Sequence, residues 1–176
     1  MNEVIKNQAT GDCIEFLQTA KETKGRVSEF ILTLAPKSSW AKTPRHRHPF
    51  QVETFQVLTG ELHLTKGDEY FVLKPGSNKV IVDKLMLHSF WNELDTETSF
   101  RAEIFNPRHI EKGLRLTYKL SQEGKISKNN IPYNPFYTFI LMDYFDSYFR
   151  IVPWRLQRFM FKAGSLLSQL FGYPKA

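Results

Sequence analysis

From about Ile14 to Pro107 the hydrophobic residues fall in short β-prone runs separated by residues that favour turns. The runs are Ile14–Thr19, Val27–Ala35, Glu53–Leu58, Glu61–Thr65, Tyr70–Leu73, Lys79–Val82, His88–Glu93 and Ser99–Phe105. Between them stand Pro36-Lys-Ser-Ser39, Thr59-Gly60, Lys66-Gly67-Asp68 and Pro75-Gly76-Ser77-Asn78. Short strands spaced by turns in this way predict an all-β sandwich or barrel. No long helical pattern lies between the runs, which argues against a parallel α/β sheet.

Beyond Pro107 the period changes. Glu111–Ser121 reads as one helix, with Gly124 near its C-terminal stop. Asn130–Asn134 is a linker, and Asn134-Pro135 reads as an N-cap followed by proline at the first helical position. The helix expected from there to about Arg150 is apolar on almost every side, broken only by Asp143, Asp146 and Ser147. Pro153 opens a last helix that runs to Gly172. Along it Leu156, Phe159, Met160, Ala163, Leu167, Leu170 and Phe171 form one stripe, with Arg155, Arg158, Lys162, Ser165 and Gln169 opposite. The stripe predicts packing against the β-domain or a dimer mate. The domain division expected is 1–125 for the β-domain with its following helix and 126–176 for a C-terminal helical extension.

Composition alters this picture little. A chain of 176 residues suits one domain with its own core, and 41% hydrophobic with 24% charged residues is the profile of a soluble globular protein. The single cysteine, Cys13, excludes an intramolecular disulfide and suits a reducing compartment. The opening MNEVIKNQATGDC has no apolar h-region, so a cytoplasmic location is expected. A net charge of +6 invites a nucleic-acid reading, but the lysines are scattered and no binding module accompanies them. Charge is concentrated only after Ser147, where Arg150, Arg155, Arg158, Lys162 and Lys175 occur without any acidic residue. No stretch reaches the roughly 18 to 20 apolar residues that a membrane span needs, and membrane association is not expected.

The chemistry lies in PRHRHPFQVETFQVLTGEL. His46 and His48 are two apart, so on a strand both side chains leave by one face. Glu53 follows a short bend at Pro49-Phe50, and His88 heads another strand, HSFWN. Three imidazoles and a carboxylate are borderline N/O donors suited to Fe(II), Mn, Ni, Cu(II) or Zn. The alternative is that these residues merely line a polar cavity, with Glu53 paired to Arg45 or Arg47. The pleat favours ligation, because an inward Glu53 carries the apolar Phe55 and Val57 inward with it and sends Thr54 and Gln56 out. The same parity sends Phe90 and Asn92 inward beside His88. The other two histidines, His63 and His109, are expected to be structural or solvent-facing.

The spacing His46-x-His48-x4-Glu53-x6-Gly60, followed by His88-x3-Asn92, resembles the two sequence motifs of the cupin superfamily over roughly residues 26 to 107. The resemblance implies a cupin-type β-barrel, or jelly roll, in which His46, His48, Glu53 and His88 bind one divalent transition metal. Gly60 and Asn92 then occupy the matching structural positions. The chain departs from the motifs in two places. Trp40 stands where the first motif opens with glycine, and Asp83-Lys84-Leu85-Met86, one residue longer, replaces the Pro-x-Gly turn before the last histidine.

Four protein ligands on a six-coordinate ion leave two open positions, which a purely structural site would not keep. A centre of net charge near +1 favours an anionic oxygen ligand, so the first expectation is a metal-dependent enzyme on a small organic substrate, an oxidoreductase with dioxygenase-like chemistry. A non-catalytic small-molecule or metal-binding cupin is the alternative, since no acid or base outside the four ligands stands out. A third reading makes the C-terminal helices the working part, in membrane or partner association. Cupins that epimerise sugar nucleotides work without a metal, so intact ligands count against that branch. Pairing of barrels through strands makes a homodimer the expected assembly.

Overall fold

The computed structural model describes residues 2–38 and 45–174. Ser39 of the first turn, Trp40 and Lys175 lie outside the described residues. The chain runs β1 (Glu3–Lys6), β2 (Cys13–Gln18), β3 (Val27–Leu34), β4 (His46–Arg47), β5 (Val52–Thr59), β6 (Leu62–Lys66), β7 (Glu69–Leu73), β8 (Val80–Val82), β9 (His88–Trp91) and β10 (Thr98–Phe105). Then follow α1 (Ile110–Gln122), α2 (Pro135–Phe145), β11 (Tyr148–Phe149) and α3 (Trp154–Leu170). Each of the eight expected runs contains a strand. The three strands not expected from the sequence are β1, β4 and β11, and the two-residue β4 and β11 are too short to show a pattern.

The strands form two antiparallel sheets, β1-β2-β3-β10-β5-β8 and β11-β4-β9-β6-β7. They form the two sheets of the expected jelly roll, and among the described residues no ladder joins them into a closed barrel. The chain passes between the sheets through turns, with Gly76 and Leu85 in the left-handed region, and not along continuous bent strands. Alternation along β3, where every second residue is buried, shows how the pleat sorts the chain into core and surface. Phe55 of β5, Phe90 of β9 and Phe100 of β10 meet between the sheets, with ring centroids 5.4 to 5.8 Å apart. These three rings floor the space in which the histidines stand.

Gly60 and Asn92 act as the motif comparison implied. At Gly60, φ is +74° and a Cβ would lie 2.5 Å from Thr98 Oγ1, so only glycine fits the β5–β6 turn. Asn92 is buried and donates from Nδ2 to the carbonyls of Ala35 (2.9 Å) and Thr96 (2.8 Å). Its place corrects the parity argument: β9 ends at Trp91, and Asn92 ties two loops instead of walling the site with Phe90. Thr54 also departs from expectation. It is buried, with its hydroxyl donating to Glu103 at 2.7 Å, because β8 covers that stretch of β5.

The helical region begins as expected and then diverges. Asn134 caps α2, its side chain accepting from Phe136 N at 3.0 Å, with Pro135 behind it. The helix stops at Phe145, not near Arg150, because Asp146 turns left-handed at φ 49°. Burial of Asp146 against Arg108 (2.6 Å) and the Tyr148 hydroxyl (3.1 Å) holds that turn. The chain then extends as β11 and pairs with β4. An all-round apolar α2 finds its use between α1 and α3.

Within the chain, α3 is not packed on the β-domain by its apolar stripe. Its apolar stripe faces solvent, with Leu156, Phe159, Met160, Leu167, Leu170 and Phe171 between 49% and 81% exposed. The buried positions are Gln157, Ser165 and Ser168, so Ser165, assigned by its polarity to the exposed face, lies underneath. Two contacts fix this orientation. Gln157 bonds the backbone of β11 through Phe149 N (3.1 Å) and Phe149 O (2.8 Å). Gly164 sits against the Phe139 ring of α2, where a Cβ would lie 2.5 Å from Cγ. A larger residue at 164 therefore forces the helices apart. Gly164→Ala is expected to cost about 1–3 kcal/mol by overpacking, read as a lower Tm and faster amide exchange in α3. An unchanged Tm and exchange pattern would show that this contact does not seat the helix.

Candidate metal centre

Local structure brings the motif residues together from both sheets. His46 on β4 lies opposite His88 on β9, so the antiparallel register puts the two imidazoles side by side on one face. His48 follows directly after β4, and its ring stands 5.0 Å from that of His46. Glu53 arrives from the facing sheet on β5. The imidazole centroids are 4.4 Å (His46–His88), 5.0 Å (His46–His48) and 5.4 Å (His48–His88) apart. One ring nitrogen of each histidine lies within 4.8 Å of those of the other two. Glu53 touches two members of this cluster, Oε2 at 3.0 Å from His88 Nε2 and Oε1 at 3.5 Å from His48 Nε2. His48, Glu53 and His88 are buried, and His46 is half-buried, so solvent reaches the cluster at His46.

Hydrogen bonds behind the rings decide which nitrogen faces inward. His48 Nδ1 donates to the carbonyls of Phe145 (3.0 Å) and Asp146 (3.2 Å), and His88 Nδ1 donates to that of Met86 (3.0 Å). A carbonyl only accepts, so both rings carry their proton on Nδ1 and present Nε2 to the centre. Such outward N–H bonds to carbonyl groups are how metal-binding imidazoles are oriented.

The turn that departs from the family motif does this work. Leu85 is left-handed at φ 65°, its N–H bonds His48 O at 2.8 Å, and Met86 O accepts the hydrogen bond from His88 Nδ1. The altered turn thus holds His48 and His88 to each other.

Burial and the Glu53 charge pull the two buried histidines in opposite directions. Burial lowers the His48 pKa below the ordinary imidazole value, more than the charge of Glu53 restores. Burial also disfavours the charged form of His88, but its closer contact with Glu53 outweighs this and raises the pKa. At Glu53 burial acts upward, yet His48 and His88 together hold the pKa down at about 2. The carboxylate is therefore ionised, burial pushes His48 toward its neutral form, and Glu53 pulls His88 toward its charged form.

The donors fit a metal ion. His88 Nε2 is buried and lacks an aligned hydrogen-bond partner even though Glu53 lies beside it, which is unusual for a buried polar atom. Three ligand atoms on an ion with bonds of about 2.1 Å stand roughly 3.0 to 3.6 Å from one another, so the imidazole nitrogens, which lie within 4.8 Å of one another, close on one by side-chain shifts.

The remaining histidines stay apart. His63 is buried on the outer face of its sheet, bonded to the Tyr70 hydroxyl and stacked on Trp91 at 5.6 Å. His109 precedes α1 and makes no side-chain cap. Sequence reading missed the groups that orient the two buried histidines: the carbonyls of Met86, Phe145 and Asp146, and Arg108 behind Asp146. Backbone acceptors carry no residue signature. The one visible signal was Asp146 itself, a carboxylate inside an otherwise apolar run.

A family model described as a cupin domain, Cupin_2, matches residues 30–104. No curated protein matches the sequence. Similar solved structures include the Cupin_2 domain of an XRE family transcriptional regulator from Enterobacter cloacae, 25% identical over 55% of this chain and 98% of that one, with a TM-score of 0.45. A predicted oxalate decarboxylase from Thermotoga maritima is 23% identical over 60% of this chain and 91% of its own, with a TM-score of 0.47. A cupin superfamily sugar phosphate isomerase from Silicibacter pomeroyi is 17% identical over 59% and 71%, with a TM-score of 0.49. The family match is the firm result, since it takes in His46, His48, Glu53, Gly60, His88 and Asn92. Over residues 30–104 this chain carries a cupin domain.

Proposed function

We propose that this cupin holds one divalent transition metal ion through ring nitrogens of His46, His48 and His88 together with Glu53, and that it is a metal-dependent enzyme acting on a small organic substrate with dioxygenase-like chemistry. The observation that carries the metal assignment is the convergence of three imidazoles whose outward nitrogens, at His48 and His88, are already committed to carbonyl groups. When bound there, such an ion supplies an electrophilic centre with open positions for an anionic oxygen ligand or dioxygen.

The protein's own part is orientation and exclusion of water. His48 and His88 are fixed by their Nδ1 bonds, and Glu53 offsets one unit of the ion's charge. Phe55 and Phe90 close the floor, with Phe55 6.5 Å from the His88 ring by centroids. A dry floor beneath a half-open rim favours a small planar anion such as an enolate or catecholate.

Metal analysis of untagged protein purified without added metal tests the first part. About one equivalent per chain of Fe, Mn, Ni, Cu or Zn is expected, and metal-free protein that binds none of them overturns the assignment. Dioxygen uptake by iron- or copper-loaded protein given catechol or an enediol tests the second. Zinc alone, with no dioxygen consumed under any loading, favours a non-catalytic binding cupin.

A further inference from the structure

We propose that the outward face of α3 is a docking surface for anionic lipid, on which the protein lies as a peripheral membrane protein. The observation is the inverted placement of the helix. Its small and polar side, Gln157, Gly164, Ser165 and Ser168, is used against α2 and β11, so its apolar side has no place left in the core of this chain. On the other side Leu156, Phe159, Met160, Leu166, Leu167, Leu170 and Phe171 share one arc, each about half exposed or more. Patches of this kind mark interaction sites.

Charge selects the occupant. Arg155 and Lys162, both exposed, lie along one flank of the arc, and Arg158 stands next to them with its guanidinium over Phe50 at 4.8 Å. Between Ser147 and Ala176 there is no acidic residue. A second copy of this helix would bring its own basic flank and no carboxylate from this segment to meet it. A lipid surface rich in anionic headgroups meets the apolar arc with acyl chains and the basic flank with charge. No helix among the described residues is long and apolar enough to cross a membrane, so the helix lies in the interface plane and does not span. This reading replaces the sequence expectation of a packed stripe, and it is independent of the metal assignment.

Full-length protein sedimented with vesicles of phosphatidylcholine and phosphatidylserine, against pure phosphatidylcholine and a vesicle-free control, tests the proposal. Binding to the anionic vesicles that weakens with added salt is expected. Removing two basic residues, Arg155→Gln with Lys162→Gln, should reduce partitioning about thirtyfold, at roughly fivefold per basic residue near the surface. Phe159→Glu with Leu170→Glu should abolish binding while metal content and melting stay as in the parent, since both side chains are exposed. Absence of anionic-vesicle binding above the control overturns the proposal. So does a dimer in light scattering that the Phe159→Glu, Leu170→Glu variant splits, for the arc would then be covered by a second copy.

Discussion

Alanine at His48 or His88 is expected to lower affinity for a divalent transition metal by a hundredfold or more, with the fold retained. Losing a partner that merely orients a ligand typically costs tenfold to a hundredfold in affinity, and losing the ligand itself removes a bond to the ion. His88→Ala carries the sharper test. Its imidazole contacts Glu53 at 3.0 Å and is held by Met86 O, which belongs to the turn that departs from the family motif. Glu53→Gln should also weaken binding, because a neutral amide leaves more of the ion's charge uncompensated in a buried site. Titration with Co(II) or Zn(II), followed calorimetrically and beside circular dichroism of each variant, reads the effect. Full occupancy in folded His88→Ala protein would reduce the centre to a three-ligand arrangement without that histidine.

Ending the chain after Ile131 is expected to give aggregated, metal-poor protein. The cut removes α2, β11 and α3 together. It strips Leu141, Tyr137 and Phe145 from Leu116, Leu120 and Ile126, which leaves an apolar surface on α1 and the loop after it. It also removes both acceptors of His48 Nδ1 and the strand that flanks β4, so the ligand loses what orients it. A milder variant separates the two consequences. Asp146→Ala keeps the helices but deletes the carboxylate that meets Arg108 and Tyr148, and with it the anchor of the left-handed turn that aims these carbonyls. Its metal affinity is expected to fall about tenfold to a hundredfold, the range for lost orienting contacts. Static light scattering and metal content per chain measure both variants. A truncated protein that remains monomeric and fully loaded would show that the extension has no part in the centre.

Local rules account for what the sequence alone decided here. Turn residues at Gly60, Gly67 and Gly76 separate runs that become strands, and Asn134-Pro135 starts α2 as an N-cap should, because each signal acts within a few residues of itself. The gathering of the three histidines with Glu53 was legible for a similar reason. His46 and His48 are only two residues apart, Glu53 sits at a fixed distance from the Gly60 turn, and the motif carried His88 with them. Tertiary contacts decided the rest. The end of α2 was set by Arg108, 38 residues away from Asp146, a contact no periodicity records. The five-residue reach from Phe145 to Phe149 gains its meaning only beside β4, where it supplies acceptors to His48 and a partner strand to His46. For α3 the sequence specified two unlike faces but not which one would be covered. Amphipathic spacing reports a contrast between sides, whereas the side that packs is chosen by shape, and the groove at Gly164 accepted the Phe139 ring where larger side chains would not fit.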